Sequence, residues 1–366
     1  MTNPLLSLAR RNRKNGSVHT FFGLIPNDSH TTHAFNSKHM KKHLLFLAAL
    51  VFPFTLSAQL GGRSVYQVLD FSPSARITAL GGSLITVSDE DVSLGFQNPA
   101  LLNEEMHLGI SFNHNLYLSD IEHGYAAYAH HLDKPGITLH GGIQYVSYGD
   151  FQGFDEFENP TGTFDAGETV ITLGVAKPLY ERLTVGANLK MISSSLEGYE
   201  SFGMAADLGA FYHTENDLNV SLVFRNMGTQ FSTYFPGERE PLPFDIHLGV
   251  SKKLKYLPFR FSIIAHNLQR WNILYDDPDS EEEGSLLFIG GEGNNDRSAF
   301  SEGVDNFFRH FIFSGEFLFG KAENVRLRFA YNHLRRQELQ VENLRSLAGF
   351  SFGMGVKISK FRVEVG

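Results

Sequence analysis

From Met106 to the C-terminus, apolar and polar residues alternate with period two in segments of about ten residues, and this most narrows what the chain can become. Across 183–191, Leu183, Val185, Ala187, Leu189 and Met191 share one face, with Thr184, Gly186, Asn188 and Lys190 opposite. Phe244, Ile246, Leu248 and Val250 likewise oppose Asp245, His247, Gly249 and Ser251. Val325, Leu327, Phe329 and Tyr331 oppose Arg326, Arg328 and Ala330, and Phe350, Phe352, Met354, Val356 and Ile358 oppose Ser351, Gly353, Gly355 and Lys357. Side chains of a strand point alternately to its two faces, so each segment reads as a strand with one apolar and one polar side.

A soluble sandwich also alternates; the connections separate the two cases. Strands are expected near 106–116, 122–132, 137–147, 169–177, 183–193, 202–213, 218–227, 244–253, 257–267, 308–319, 325–334 and 347–358, with a thirteenth starting at Lys360 to Val365. The connections 133–136, 178–182, 214–217, 254–256, 320–324 and 359–360 are short, and alternate with the long 148–168, 228–243, 268–307 and 335–346 and the modest 117–121 and 194–201. Outer-membrane barrels have short periplasmic turns and longer external loops, whereas a sandwich has no reason to sort them. The expected fold is therefore all-β, a transmembrane antiparallel β-barrel. An open edge in lipid leaves backbone groups unpaired, and bacterial barrels have even strand numbers, so an incomplete C-terminus is expected, with strands lost. Tyr117, Tyr148, Tyr180, Tyr199, Tyr212, Tyr234, Tyr256 and Tyr331 fall near strand ends, where interfacial rings sit.

The N-terminal region reads in three parts. Met40-Lys41-Lys42-His43, the apolar run Leu44 to Leu56, and Ser57-Ala58-Gln59 form a signal peptide over 40–58, with cleavage near Ala58 and export to the bacterial outer membrane expected. Residues 1–39 then read as a mis-called upstream extension without structure. Residues 59–105 are expected to form a plug segment, with a helix starting at Ser88 as cap, and 106–366 the barrel. From position 43 on, 24 basic residues face 39 acidic ones, which disfavours nucleic-acid binding. The absence of Cys excludes disulfides and thiolate chemistry.

The search for site chemistry yields little. Asp276-Asp277-Pro278-Asp279-Ser280-Glu281-Glu282-Glu283 is dense enough for Ca²⁺ but lacks EF-hand spacing, and reads as a solvated loop. A second acidic loop carries Asp150, Asp155, Glu156, Glu158 and Asp165. Gly290-Gly291-Glu292-Gly293 lacks the Lys-Ser/Thr of a phosphate loop, and His130-His131 point to opposite faces of a strand. No Ser/His/Asp set stands in a nucleophile's context, although His247 and His266 face the lumen. No enzyme activity, cofactor or metal is expected. Glu238-Arg239-Glu240 and Arg335-Arg336 fall in external loops, and the loop 268–307 carries Trp271, Tyr275, Phe288, Phe300 and Phe307, enough aromatics for a partner-binding core.

Ser74-Ala75-Arg76, then Ala79-Leu80-Gly81-Gly82, Asp91 and Asn98-Pro99-Ala100-Leu101-Leu102 together resemble the PorV/PorQ family of FadL-like barrels. Gly61-Gly62-Arg63-Ser64-Val65-Tyr66 resembles its PorQ branch in particular. The resemblance is strongest over 61–102 and architectural beyond. It implies a fourteen-stranded barrel with an N-terminal plug carrying Ala75, Arg76, Gly81, Gly82, Asp91, Asn98, Pro99 and Ala100. It also implies a role in the type IX secretion system of Bacteroidota, with outer-membrane lipid, a PorZ-like surface protein and other attachment-complex proteins as partners. The alternative is a FadL-type channel for hydrophobic small molecules.

Overall fold

Thirteen strands, each antiparallel to the next, follow one another in chain order in a single sheet. They are β1 Ile110–Leu116, β2 Glu122–Leu132, β3 Ile137–Phe154, β4 Pro160–Tyr180, β5 Leu183–Leu196, β6 Tyr199–His213, β7 Leu218–Ser232, β8 Asp245–Lys253, β9 Phe259–Ala265, β10 Phe311–Phe319, β11 Val325–Asn332, β12 Phe350–Ile358 and β13 Phe361–Val365. The computed structural model describes residues 64–116, 121–274, 299–320, 323–339 and 347–366. The upstream stretch 1–39, the signal peptide 40–58, Gly61 to Arg63, Tyr117, the acidic run 276–283 and Gly290 to Gly293 lie outside the described residues. Among the described residues no helix is long and apolar enough to cross a membrane.

All thirteen expected segments are strands, and their faces are distributed as the alternation requires. Leu189, Leu248, Leu327, Phe329, Phe350, Phe352 and Met354 are exposed, whereas Asn188, Lys190, His247, Ser251, Arg326 and Arg328 are buried. A soluble barrel has the opposite polarity, with its apolar face inward.

The buried polar face is covered by residues 64–109, around which the sheet wraps. This segment holds three short 3-10 turns and two helices, α1 Ala75–Ala79 and α2 Leu94–Gln97. Its own apolar side chains form most of the core: Val68, Leu69, Ile77, Leu80, Leu84, Val87, Leu94, Phe96, Leu101 and Met106. The segment enters at the end of the longer loops, hereafter the rim, where the Val65 N–H bonds Pro241 O (3.0 Å) between β7 and β8. It leaves at the opposite, short-turn end, where the Leu108 N–H bonds Ala129 O (3.0 Å). Among the described residues β1 pairs with β2 alone and β13 with β12 alone.

Several boundaries differ from expectation for identifiable reasons. The loop expected at 148–168 is the paired end of β3 and β4, with Phe151 opposite Phe164 and a tip at 155–159. Away from the apolar band both faces of a hairpin meet water, so its sequence keeps no alternation. Asp155 closes the tip: its Oδ1 accepts the N–H groups of Phe157 and Asn159, both at 2.8 Å. Length sorting of the rim connections therefore fails on that side. The expected strand starts at 308 and 106 fall instead in α3 (Ala299–Arg309) and in the 3-10 turn Glu104–Met106, and the expected strand end at 334 falls in α4 (His333–Glu338). Ser88 caps no helix; its Oγ donates to Leu101 O (3.2 Å), while Asp91 Oδ1 accepts the Ser93 N–H (3.0 Å) just ahead of α2.

Candidate functional site

The family-like residues converge inside the barrel and are built upward from α1. Ser74 Oγ accepts the Ile77 N–H (3.3 Å) as N-cap, which starts the helix at Ala75. Gly81 and Gly82, with φ of 87° and 92°, end it in the left-handed region that glycine enters without strain. The Gly82 N–H returns to Ile77 O (2.9 Å).

This brief helix exists to place Arg76, which is fully buried. Its guanidinium meets Asp89 (2.8 Å), Asp91 (3.1 Å) and Glu316 of β10 (3.6 Å). Burial opposes its charge, but Asp89, Glu316 and Asp91 outweigh that and hold its pKa well above the ordinary value. Burial also opposes the Asp89 carboxylate; Arg76, Arg362 and Arg326 nevertheless hold it well below the usual range. The network continues through wall residues. Arg260 and Arg328 both reach Glu316 (2.9 Å), Arg326 reaches Asp89 (3.2 Å), and Lys357 and Arg362 reach Glu90. It is legible only in three dimensions, because its members are spread from residue 76 to residue 362.

Asn98-Pro99-Ala100 forms the second anchor. Asn98 is buried; its Oδ1 accepts the Ala100 N–H (3.0 Å), and its Nδ2 donates to Ile85 O (2.8 Å) and Ser221 Oγ of β7 (3.3 Å). Pro99 follows as the first residue of a 3-10 turn, where its missing N–H costs nothing. The turn presses against Gly186 of β5 and Gly209 of β6, and a Cβ at either would overlap Pro99 or the Asn98 side chain. Nearer the rim, the buried Tyr66 bonds Ser201 Oγ (2.7 Å) and the Val68 N–H donates to Glu168 (2.7 Å).

The expected partner loop is described in part. Trp271 and Phe307 come together, their rings 6.3 Å apart. The backbone of Phe300 lies in α3, its side chain outside the described residues, as are Tyr275 and Phe288. Sequence reading missed Phe308, adjacent to Phe307 on α3, because a strand was expected there. Arg335 and Arg336 lie on α4, and the Arg335 guanidinium sits over Gly82 of the plug.

A Ser/His/Asp set also appears that the sequence did not reveal. Ser83 Oγ shares a hydrogen bond with His247 Nδ1 (3.3 Å), and His247 Nε2 lies 2.6 Å from Asp245 Oδ2. Ser83 and His247 are both buried, and the contact ties the plug to β8. Among the described residues no group of three or more His, Asp or Glu side chains is arranged to hold a metal.

No family model matches the chain, and no curated protein does. Solved structures similar to it include the following three. The deltaS2S3 mutant of the monoaromatic hydrocarbon channel TodX is 11% identical over 80% of this chain and 92% of that chain, with a TM-score of 0.45. The toluene transporter TodX of Pseudomonas putida is 12% identical over 82% and 93%, TM-score 0.45. The monoaromatic hydrocarbon channel CymD is 13% identical over 80% and 90%, TM-score 0.42.

Proposed function

We propose that the chain is an outer-membrane barrel of the type IX secretion system, where it anchors a surface attachment-complex protein and performs no chemistry. The apolar outward face supports the membrane setting, since lipid accepts no open polar surface. The observation that carries the binding role is the β3–β4 hairpin standing beyond the apolar band. β4 has 21 residues, where about 9–11 suffice to cross a membrane. The projecting part presents exposed Phe154 and Phe157 among Asp155, Glu156 and Glu158, a mixed apolar and acidic surface suited to a protein partner with basic groups. A plug held by buried ions and close backbone packing suits an anchor better than an open conduit.

The test uses a tagged full chain in its native host, extracted from outer membranes in detergent. A large surface protein should co-purify in stoichiometric amount and be lost when residues 151–164 are replaced by a two-residue turn, with the shortened barrel still reaching the membrane. Recovery of the barrel alone, with bound lipid or hydrophobic small molecules, would overturn the anchor and favour a channel.

A further inference from the structure

Helix α3 is built inside out. A helix on the surface of a soluble protein packs its apolar stripe inward and shows its polar side to water. Here Glu302 is exposed, but Asp305, Asn306 and Arg309 are turned onto the barrel rim. Asp305 reaches His333 Nε2 (2.8 Å) and Arg309 (2.8 Å). Asn306 is buried, donating to Trp271 O (2.8 Å) and accepting the Ile273 N–H (3.0 Å). The apolar positions at helical spacing face away: Val304 is 40% exposed, Phe307 43% and Phe308 42%. Trp271, stacked on the buried His310 at 5.1 Å, is 61% exposed beside them.

This apolar face is continuous with the outward face of the wall. Phe307 packs on Phe311 at 4.8 Å, and Phe311 on Phe313 at 6.1 Å. Phe313 pairs with the outward Ile263 and borders an apolar recess of about 470 Å³ that Phe261, Phe329 and Phe352 also line. No polar break separates the rings of α3 from rings that the barrel reading places in hydrocarbon.

The geometry points to α3 and Trp271 as a membrane-interface anchor, with Trp271, Phe307 and Phe308 seated in the lipid headgroup–acyl boundary rather than held free for a protein partner. The proposal rests on the reading that the strands cross the membrane. Amphipathic rings favour that boundary, and a helix with one apolar face lies in its plane. Stationed above β9 to β11, the anchor fixes how deep this side of the barrel sits and leaves the β3–β4 hairpin as the aromatic surface available in water.

Trp271 is the single tryptophan of the chain, so its fluorescence reports this position alone. The full chain is folded into phosphatidylcholine vesicles, incorporation is verified by flotation, and the acyl chains carry bromine near either the headgroup or the chain terminus. Shallow bromine should quench Trp271 about twofold more strongly than deep bromine, as expected for a ring at headgroup level, with little quenching by aqueous iodide. Phe307→Ser with Phe308→Ser should weaken the bromine quenching without loss of incorporation. Protein that floats with the vesicles, yet shows iodide quenching and none from bromine, overturns the anchor and leaves the barrel reading standing. Protein that does not float overturns both.

Discussion

Strands β3 to β7 run 14 to 21 residues, whereas β8 to β13 run 5 to 9. At about 3.3 Å per residue the longest strand is roughly 70 Å along its path, and a nine-residue strand roughly 30 Å. If the strands cross a membrane, β3 and β4 extend well past its hydrocarbon core, whereas the short side has little to spare. The two sides also hold the plug by different chemistry. The tall side uses close backbone approach at Gly186 and Gly209 and hydrogen bonds from largely neutral groups, such as Asn188 to Gly95 O (2.9 Å) and Gln144 to Val68 O (3.1 Å). The short side uses ions: Arg260, Glu316, Arg326, Arg328, Lys357, Arg362 and Glu364 surround Arg76, Asp89, Glu90 and Asp91. One plug is thus fastened mainly by close approach and single hydrogen bonds on one side, those of Glu168 and Arg225 included, and by a connected ion network on the other.

The largest effect should come from Arg76→Met. It leaves Asp89 and Glu316 without their central cation, and breaking a buried pair costs roughly 3–5 kcal/mol. Hydrogen exchange should rise over 64–109 and leave β4 to β6 protected; equal loss on both sides would show that the sides are not separable. Gly209→Val should come next, at about 1–3 kcal/mol for overpacking against Asn98. Exchange should then rise first around 98–102, with the Arg76 cluster retained; if α1 opens with it, the two fastenings are one.

A smaller, pH-dependent effect should distinguish them further. A carboxylate whose folded pKa is depressed contributes stability above its unfolded value, near 4, and loses it as pH falls through the folded value. Asp89 is such a group. The short-side contacts should therefore hold at pH 5 and loosen only below about pH 4, while the contacts at Gly186 and Gly209 do not titrate. Exchange-protected plug residues after acid incubation provide the measurement, and loosening at pH 6 would contradict the charge assignment. The smallest effect is expected for Asp155→Ala, which removes the closing hydrogen bonds of the hairpin tip. Exchange should rise at 155–159 with the unfolding midpoint unchanged.

The wall was legible in sequence where it separates two solvents. β5 and β11 alternate because one face is apolar surroundings and the other is plug, and period two follows from that contrast. The hairpin beyond Ser147 was not legible, since water on both sides removes the contrast. α3 was hidden differently: only Arg309 and His310 part its apolar residues at 304, 307 and 308 from the outward rings of β10, and no Gly or Pro marks the boundary. In the plug, Arg76 and Asn98 were marked by resemblance alone. Nothing local links Arg76 to Glu316, and the glycines that receive Asn98 and Pro99 look in sequence like ordinary strand glycines.

The path of residues 64–109 through the barrel has a consequence for assembly. Glu90 is held by Arg362, 272 positions further along the chain. Contacts of such separation are the slowest to form, because loop closure must precede them. The contacts of Glu90 with the wall are therefore expected among the last to form. Since residues 64–109 traverse the interior from rim to short turns, the wall has to curl around a segment already in place rather than receive it afterward.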